Sequence, residues 1–217
     1  MEHKRIYHIT HISNLPGILS EGGLWCDARN VADSHCRQSI GYNVIKDRRL
    51  RKPVKSLHGK PVSRGGCVGD YVPFYFTVRS PMLFTISKGN VPSFSGTQDE
   101  IIYLVSSTKE VLKAGLNWCY TNGHSVEEIS DFFDDLRHLD KIDWDIIKSR
   151  IWRNTPDQPD RKRKKQAEFL IHQFFPWDCV IGLAAINEQM AGKAREILNS
   201  TSDSHLPPIK ALPRWYY

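Results

Sequence analysis

A single acidic residue stands at the start of an apolar run in the last quarter of the chain. The densest basic run of the sequence, residues 161–165, lies just upstream of Glu168. The aromatic and β-branched residues from Phe169 to Ile171 predict a strand, in which alternation places Glu168 and Phe169 on opposite faces. A carboxylate in a buried strand costs free energy unless it has a partner or a task. Two interpretations stay open: an ion pair with its own basic run, or a catalytic carboxylate with cations beside it to receive a polyanion.

Two further groups have side chains suited to chemistry. His8 and His11 lie on the first predicted strand, where imidazoles serve either as structural groups or in proton transfer. Arg48 and Arg49 end a predicted helix, where they are either part of a solvated face or a site for an anion. Neither group decides a function by itself.

Several common catalytic motifs are absent from the sequence. It has no P-loop, no GxGxxG after a strand, no HExxH and no GxSxG. The glycine-rich residues 64–69 precede a strand and not a helix, which disfavours a phosphate site of the Rossmann kind. Asp157 and Asp160 are not followed by an acid-x-Lys pattern on a strand, so two-metal nuclease chemistry is poorly supported.

Composition and charge limit the class of protein. The chain has 217 residues, which is typical of one domain, and its 40% hydrophobic and 11% aromatic content is enough for a core. The formal net charge of +6 and the pI of about 9.1 favour an anionic partner, with nucleic acid first.

The cysteines and the absence of an apolar leader point to a reducing compartment. We expect free thiols, because the spacing forms no CxxC; a zinc site at His35 and Cys36 is poorly supported. We also expect no metal, no membrane span and a cytoplasmic location. The five cysteines are Cys26, Cys36, Cys67, Cys119 and Cys179.

Short strands and helices alternate irregularly, which predicts an α+β domain with a small mixed sheet and disfavours a doubly wound parallel one. Strands are predicted at 6–12, 71–77, 101–105, 118–120, 169–171, 180–185 and 208–212. Helices are predicted at 14–22, 39–49, 80–87, after 107 or 108, after 125, at 142–151 and at 188–198.

Two local patterns give specific expectations. Pro73 predicts that its strand lies at a sheet edge or that Pro73 starts it. Residues 125–128 match a capping box, which predicts a following helix with Ile129, Phe132 and Leu136 on one face.

Several segments, in this order, together resemble the DarT family of DNA ADP-ribosyltransferase toxins. The resemblance covers nearly the whole chain, and its motifs are long enough to be specific. The segments that carry it are residues 6–15, 39–49, 70–76, 79–83, 121–124, 165–170 and 215–217.

The resemblance implies the ADP-ribosyltransferase fold, a small split and mostly antiparallel sheet with surrounding helices around an NAD cleft. NAD would be the co-substrate of a single domain over 1–217. Residues 25–49 would form the loop and helix that cover NAD, and residues 124–168 the substrate-recognition loop. Glu168 and Arg49 would be the catalytic pair. The residues implied at the NAD site are His8, Ile9, Thr10, Gly17, Trp25 and Arg49.

The implied reaction transfers ADP-ribose to a ring nitrogen of thymidine in single-stranded DNA. Glu168 would stabilise the oxocarbenium-like charge by binding the ribose 2′-hydroxyl. The family pattern makes Arg49 the proton acceptor, although a guanidinium stays protonated, which favours an electrostatic role. Tyr120, Trp144 and Trp152 are candidates for base stacking. The candidate DNA-binding residues are Arg48, Arg51, His124, Arg153, Lys164 and Lys165.

The resemblance also implies a toxin whose partner is a DarG-type macrodomain antitoxin, and we expect a monomer. Alternatives within the same fold are an enzyme that modifies guanosine, RNA or protein, or an RNA 2′-phosphotransferase. Alternatives of another class are a non-catalytic single-stranded DNA-binding module and a nuclease.

Overall fold

The computed structural model describes residues 3–33, 38–201 and 204–217, without the side chains of residues 31–33. The strands are β1 (Arg5–His11), β2 (Gly23–Trp25), β3 (Tyr71–Tyr75), β4 (Ile101–Ser107), β5 (Trp118–Thr121), β6 (Phe132–Phe133), β7 (Glu168–His172), β8 (Phe174–Pro176), β9 (Gly182–Ala185) and β10 (Ile209–Ala211). The α-helices are α1 (Leu15–Ser20), α2 (Asp27–Asp33), α3 (Asn43–Arg51), α4 (Pro81–Ser87), α5 (Thr108–Lys113), α6 (Trp144–Lys148), α7 (Arg161–Lys164) and α8 (Glu188–Asn199).

Eight of the strands form one sheet in the order β10-β9-β4-β1-β3-β7-β5-β6, and β2 pairs with β8 in a second sheet. Every strand pair is antiparallel except the parallel pair of β9 and β10. The predicted α+β class with a mostly antiparallel sheet is confirmed.

The large sheet is divided between β1 and β3. On its other side β1 pairs with β4 along its whole length, from Arg5 opposite Ser107 to His11 opposite Ile101. With β3 it shares only the pair of Tyr7 and Tyr75. The two strands diverge beyond that pair, and this leaves a cleft in the middle of the sheet.

Pro73 explains how a proline fits into a central strand. The strand β3 lies between β1 and β7, so the prediction of an edge or a strand start is wrong. The carbonyl of Pro73 faces β1, because it accepts a hydrogen bond of 2.8 Å from His8 Nδ1. The N–H and C=O of one strand residue point to the same side of the strand. The N–H that proline lacks would therefore point to β1, where β3 has no continuous ladder of hydrogen bonds.

Apolar side chains cover both faces of the sheet. Phe74 and Phe169 belong to the largest buried cluster, with α8 packed on it. Leu170 belongs to a different cluster, with Tyr71 and Val54. The predicted alternation along β7 is therefore confirmed.

The helix predicted after Ser125 is not formed. The segment instead runs through turns into β6, and Ile129 is 63% exposed. The hydroxyl of Ser125, which would have capped the helix, donates a hydrogen bond to Glu168 on β7. The helix predicted at 142–151 is also shorter, ending at Lys148.

None of the helices within the described ranges is long and apolar enough to cross a membrane. The four described cysteines are free thiols, whereas His35 and Cys36 lie outside the described residues.

Candidate active site

A buried ion pair joins Glu168, the first residue of β7, to Arg49 on α3. The Nη1 atom of Arg49 donates to Glu168 Oε2 over 2.8 Å. The side chains are almost fully enclosed, since Glu168 is 2% and Arg49 6% exposed. Of the two interpretations of Glu168, the pairing with its own basic run is wrong, because its cationic partner lies 119 residues away.

The second oxygen of Glu168 is held by Ser125. The Ser125 hydroxyl donates to Oε1 over 2.8 Å and the Ser125 backbone N–H donates to the same atom over 3.1 Å. Both carboxylate oxygens therefore have donors, which fixes the orientation of the group.

Arg49 is fixed in the same way. Its Nε donates to Asp27 on α2 over 2.8 Å, and its Nη2 lies 3.5 Å from the carbonyl of Val68 and 3.4 Å from that of Tyr71. Burial alone would lower the pKa of Arg49, but the charges of Glu168 and Asp27 and their hydrogen bonds raise it above its ordinary value. Arg49 is therefore a permanent cation between two carboxylates.

The ion pair forms part of the wall of a cleft of about 790 Å³ at the division of the sheet. This volume suits a dinucleotide-sized ligand, since small-molecule sites span about 300–1,000 Å³. The structure brings all of the residues implied at the NAD site into this cleft: His8, Ile9, Thr10, Gly17, Trp25 and Arg49, together with Glu168.

His8 presents a neutral imidazole to the cleft. Burial lowers its pKa below the ordinary value, and this outweighs the opposing effect of the hydrogen bond to Pro73. Because Nδ1 is the donor to the Pro73 carbonyl, the neutral ring leaves Nε2 as an acceptor.

Sequence reasoning missed Asp27, Ser125 and Asn14. Asn14 Nδ2 donates to Thr10 over 3.0 Å and to the carbonyl of Gln38 over 2.8 Å, so it joins β1 to the segment before α3. In the sequence, Asn14 stands only at the start of the helix predicted at 14–22, which gives no indication of these two contacts. Asp27 and Ser125 carry no local signal for a partner on a distant element.

The candidate DNA-binding residues fall into different places. His124 lines the cleft, and burial lowers its pKa. Arg48 donates to the carbonyl of Val126 over 3.0 Å. Arg51 and Arg153 are exposed. Lys164 Nζ lies 3.1 Å from Asp143 in a half-exposed ion pair.

Lys165 requires a correction. It is 1% exposed, and its Nζ donates to the carbonyls of Ile147 and Ser149 over 2.6 and 2.8 Å and to Thr77 over 3.3 Å. A buried ammonium with three acceptors is not a surface contact for DNA. Burial lowers its pKa to about 8.

Two of the aromatic candidates for base stacking are also corrected. Tyr120 is fully buried in the core, and its hydroxyl donates to the carbonyl of Asp135. Trp144 packs on the same core and donates to the carbonyl of Leu139. The third, Trp152, is partly exposed and donates to the hydroxyl of Tyr217.

Across the described ranges, no group of three or more His, Cys, Asp or Glu side chains could hold a metal ion. Among the groups that line the cleft, Asp27, Arg49 and Glu168 form one ion-pair network.

Comparison with known proteins agrees with this fold. A protein of Thermus sp. (strain 2.9), named DNA ADP-ribosyl transferase, is 40% identical over 212 residues, which cover 98% of this chain and 95% of that protein. The structure of Thermus sp. 2.9 DarT in complex with ADP-ribosylated single-stranded DNA matches with a TM-score of 0.90 at 37% identity, covering 99% of this chain and 96% of that one. The same Thermus protein in complex with NAD+ matches with a TM-score of 0.86 at 36% identity, covering 99% and 98%. The family model described as "ssDNA thymidine ADP-ribosyltransferase, DarT" matches residues 7–217, so the chain belongs to the DarT family.

Proposed function

We propose that this protein transfers ADP-ribose from NAD to a thymidine base in single-stranded DNA and releases nicotinamide. The observation that carries this function is the buried pair of Glu168 and Arg49 on the wall of the cleft between β1 and β3. NAD is the co-substrate, and the chemistry requires no metal ion.

Glu168 stabilises the sugar as the bond to nicotinamide breaks. Positive charge then develops on the ribose, and a carboxylate that accepts a hydrogen bond from the 2′-hydroxyl lowers the free energy of that state. Ser125 and Arg49 hold the carboxylate in place in advance, so it needs no reorganisation when charge develops.

Arg49 acts as an electrostatic stabiliser and not as a proton acceptor. Its pKa is raised, so it has no free position for a proton from the thymine ring nitrogen. Its charge instead favours the negative charge that the base gains on losing that proton.

We propose that His124 takes this proton. It lines the cleft, and its lowered pKa keeps the imidazole neutral near pH 7. It also lies at the start of the segment 124–168, which we propose as the substrate-recognition loop.

NAD would lie against β1 and α1 at His8, Ile9, Thr10 and Gly17, under a cover formed by residues 25–49. These side chains all line the same cleft as Trp25. The candidate contacts for DNA stay Arg48, Arg51, His124, Arg153 and Lys164, without the buried Lys165.

The biological setting follows from the family. We propose that the protein is a toxin and that a DarG-type macrodomain protein, which removes ADP-ribose, is its antitoxin. The monomeric state and the cytoplasmic location stay predictions.

Mass spectrometry of an oligonucleotide tests the function. The protein is incubated with NAD and single-stranded DNA with one thymidine, and we expect a mass gain of one ADP-ribose with release of nicotinamide. An oligonucleotide with guanosine in place of thymidine is expected to stay unmodified, and its modification would assign the other base. Shortened DNA would indicate a nuclease and contradict the proposal.

Glu168→Gln is the matched variant for this experiment. Glutamine keeps the size of the side chain, its one oxygen still accepts from Ser125, and Arg49 loses its acceptor on residue 168 but keeps Asp27 as its counter-ion. We expect a folded protein whose transfer rate falls by about 10²–10³, since a key electrostatic contact in the transition state is lost. Undiminished transfer would refute the role of Glu168.

A further inference from the structure

Residues 52–67, which follow α3 directly, form a short two-stranded loop that we name the basic finger. Isolated bridges pair Pro53 with Cys67 and Lys55 with Pro61. The side chains of Val54 and Val62 are buried against β7 and its neighbours. The long segment before β3 is therefore ordered in this part and anchored on the sheet.

The basic finger is strongly charged for its size. It contains Lys52, Lys55, Lys60 and Arg64 and no Asp or Glu. Lys52 Nζ lies 2.8 Å from Glu128, but Lys55, Lys60 and Arg64 are exposed and form no ion pair within the ranges that the structure describes.

Acidic residues do lie nearby, yet they bind the backbone of the basic finger. Asp131 accepts from the N–H of Leu57 over 2.8 Å, and Asp134 accepts from the N–H of Ser63 over 2.9 Å. These carboxylates hold the finger in place, and within the described ranges neither of them forms an ion pair with Lys55, Lys60 or Arg64. Like charges on one ordered segment repel one another, and a polyanion relieves that repulsion.

The basic finger is also next to the cleft. It begins directly after α3, the helix of Arg49, and Val68, the residue that follows the basic finger, accepts from the Arg49 guanidinium. It packs on residues 128–134, in the segment that contains His124. When the target base of a DNA strand enters the cleft, the nucleotides that flank this base would therefore lie beside the basic finger.

We propose that Lys55, Lys60 and Arg64 bind the phosphate backbone of the DNA that flanks the target nucleotide. This inference rests on the proposed function and adds to it a second contact region outside the cleft. Phosphate contacts of this kind raise affinity without selecting a sequence.

The test measures binding of a long single-stranded oligonucleotide as a function of salt for wild type and the variant K55S/K60S/R64S. Each phosphate contact on single-stranded DNA contributes about 0.7 to the slope of log K against log salt, so the slope should fall by about 2. The preference for a long oligonucleotide over a short one that ends beside the target thymidine should fall at the same time, measured as kcat/KM for transfer.

The matched control is K109S/K113S/K193S, which removes three exposed lysines on α5 and α8, beside the opposite edge of the sheet. It should leave both quantities close to wild type. Equal slopes for the two triple variants, with the same preference for long DNA, would overturn the inference and point to another partner for the finger. A failed proposed function is distinguishable, because wild type itself would then modify neither oligonucleotide.

Discussion

The two basic helices α3 and α7 look alike in the sequence and behave differently in the structure. In α3, Arg49 reaches two carboxylates that lie 22 and 119 residues away, and the network forms the wall of a cleft. In α7, Arg163 pairs with Asp160, three residues before it, and donates to the side chains of Asn122 and Ser130 over 3.2 and 3.0 Å, while the ion pair of Lys164 with Asp143 is half-exposed. The comparison teaches that burial separates the two helices: the cation of α3 is enclosed between two carboxylates, whereas the ion pairs of α7 are partly exposed.

The strongest test of this comparison is Arg49→Lys. Lysine keeps the charge but cannot hold Asp27 and Glu168 at once, so one buried carboxylate loses its partner. We expect a loss of about 3–5 kcal/mol in the free energy of unfolding and a fall of at least ~10² in transfer rate. Urea unfolding and single-turnover transfer measure the two effects.

Lys164→Met is the corresponding change in α7. Its ion pair with Asp143 is half-exposed, so we expect a change of at most about 1 kcal/mol in unfolding. Equal destabilisation by the two variants would remove the contrast between the helices.

Lys165→Met tests the corrected role of the buried lysine and has an intermediate effect. The variant leaves the carbonyls of Ile147 and Ser149 without a donor, which costs about 1–3 kcal/mol in unfolding. The salt slope of DNA binding should not change, because Lys165 faces the core. A reduced slope with unchanged stability would instead show that Lys165 contacts DNA.

A further effect concerns pH and the two buried imidazoles. Burial lowers the pKa of His8 and of His124, so below their ordinary value of 6.5 the unfolded chain binds more protons than the folded one. The free energy of unfolding therefore falls as pH decreases from about 6.5, by at most ~1.4 kcal/mol per pH unit for each group.

Thermal unfolding of wild type and His8→Asn between pH 5 and 8 measures this slope. Asparagine keeps a donor for the Pro73 carbonyl and removes the titration, so the curve should be flatter in the acidic range. Identical curves would show that His8 does not titrate in this way.

The sequence predicted much of the fold because its strands are strongly apolar and its helix caps are local. Ser80 before Pro81 starts α4 as expected, and alternation along β7 separates Phe169 from Leu170. The resemblance brought Glu168 and Arg49 into one site. Their contact over 119 residues could not be derived from local patterns.

The failures have one physical cause. Ser125 and Lys165 each follow a good local pattern, a helix cap and a basic run. In the fold, both bind distant groups: Ser125 donates to the carboxylate of Glu168, and Lys165 donates to the carbonyls of Ile147 and Ser149 at the end of α6. A buried charge or an unpaired carbonyl takes a partner from wherever the fold supplies one.

Pro73, in the middle of β3, has a consequence for the cleft before a dinucleotide binds. A residue with an N–H at this position would offer β1 a further hydrogen bond, and the two strands could pair over a greater length. The pyrrolidine ring of Pro73 prevents this, while its carbonyl is already engaged by His8. The gap therefore exists before a dinucleotide binds, so binding breaks no hydrogen bonds between β1 and β3. The binding free energy is then not reduced by the cost of separating paired strands.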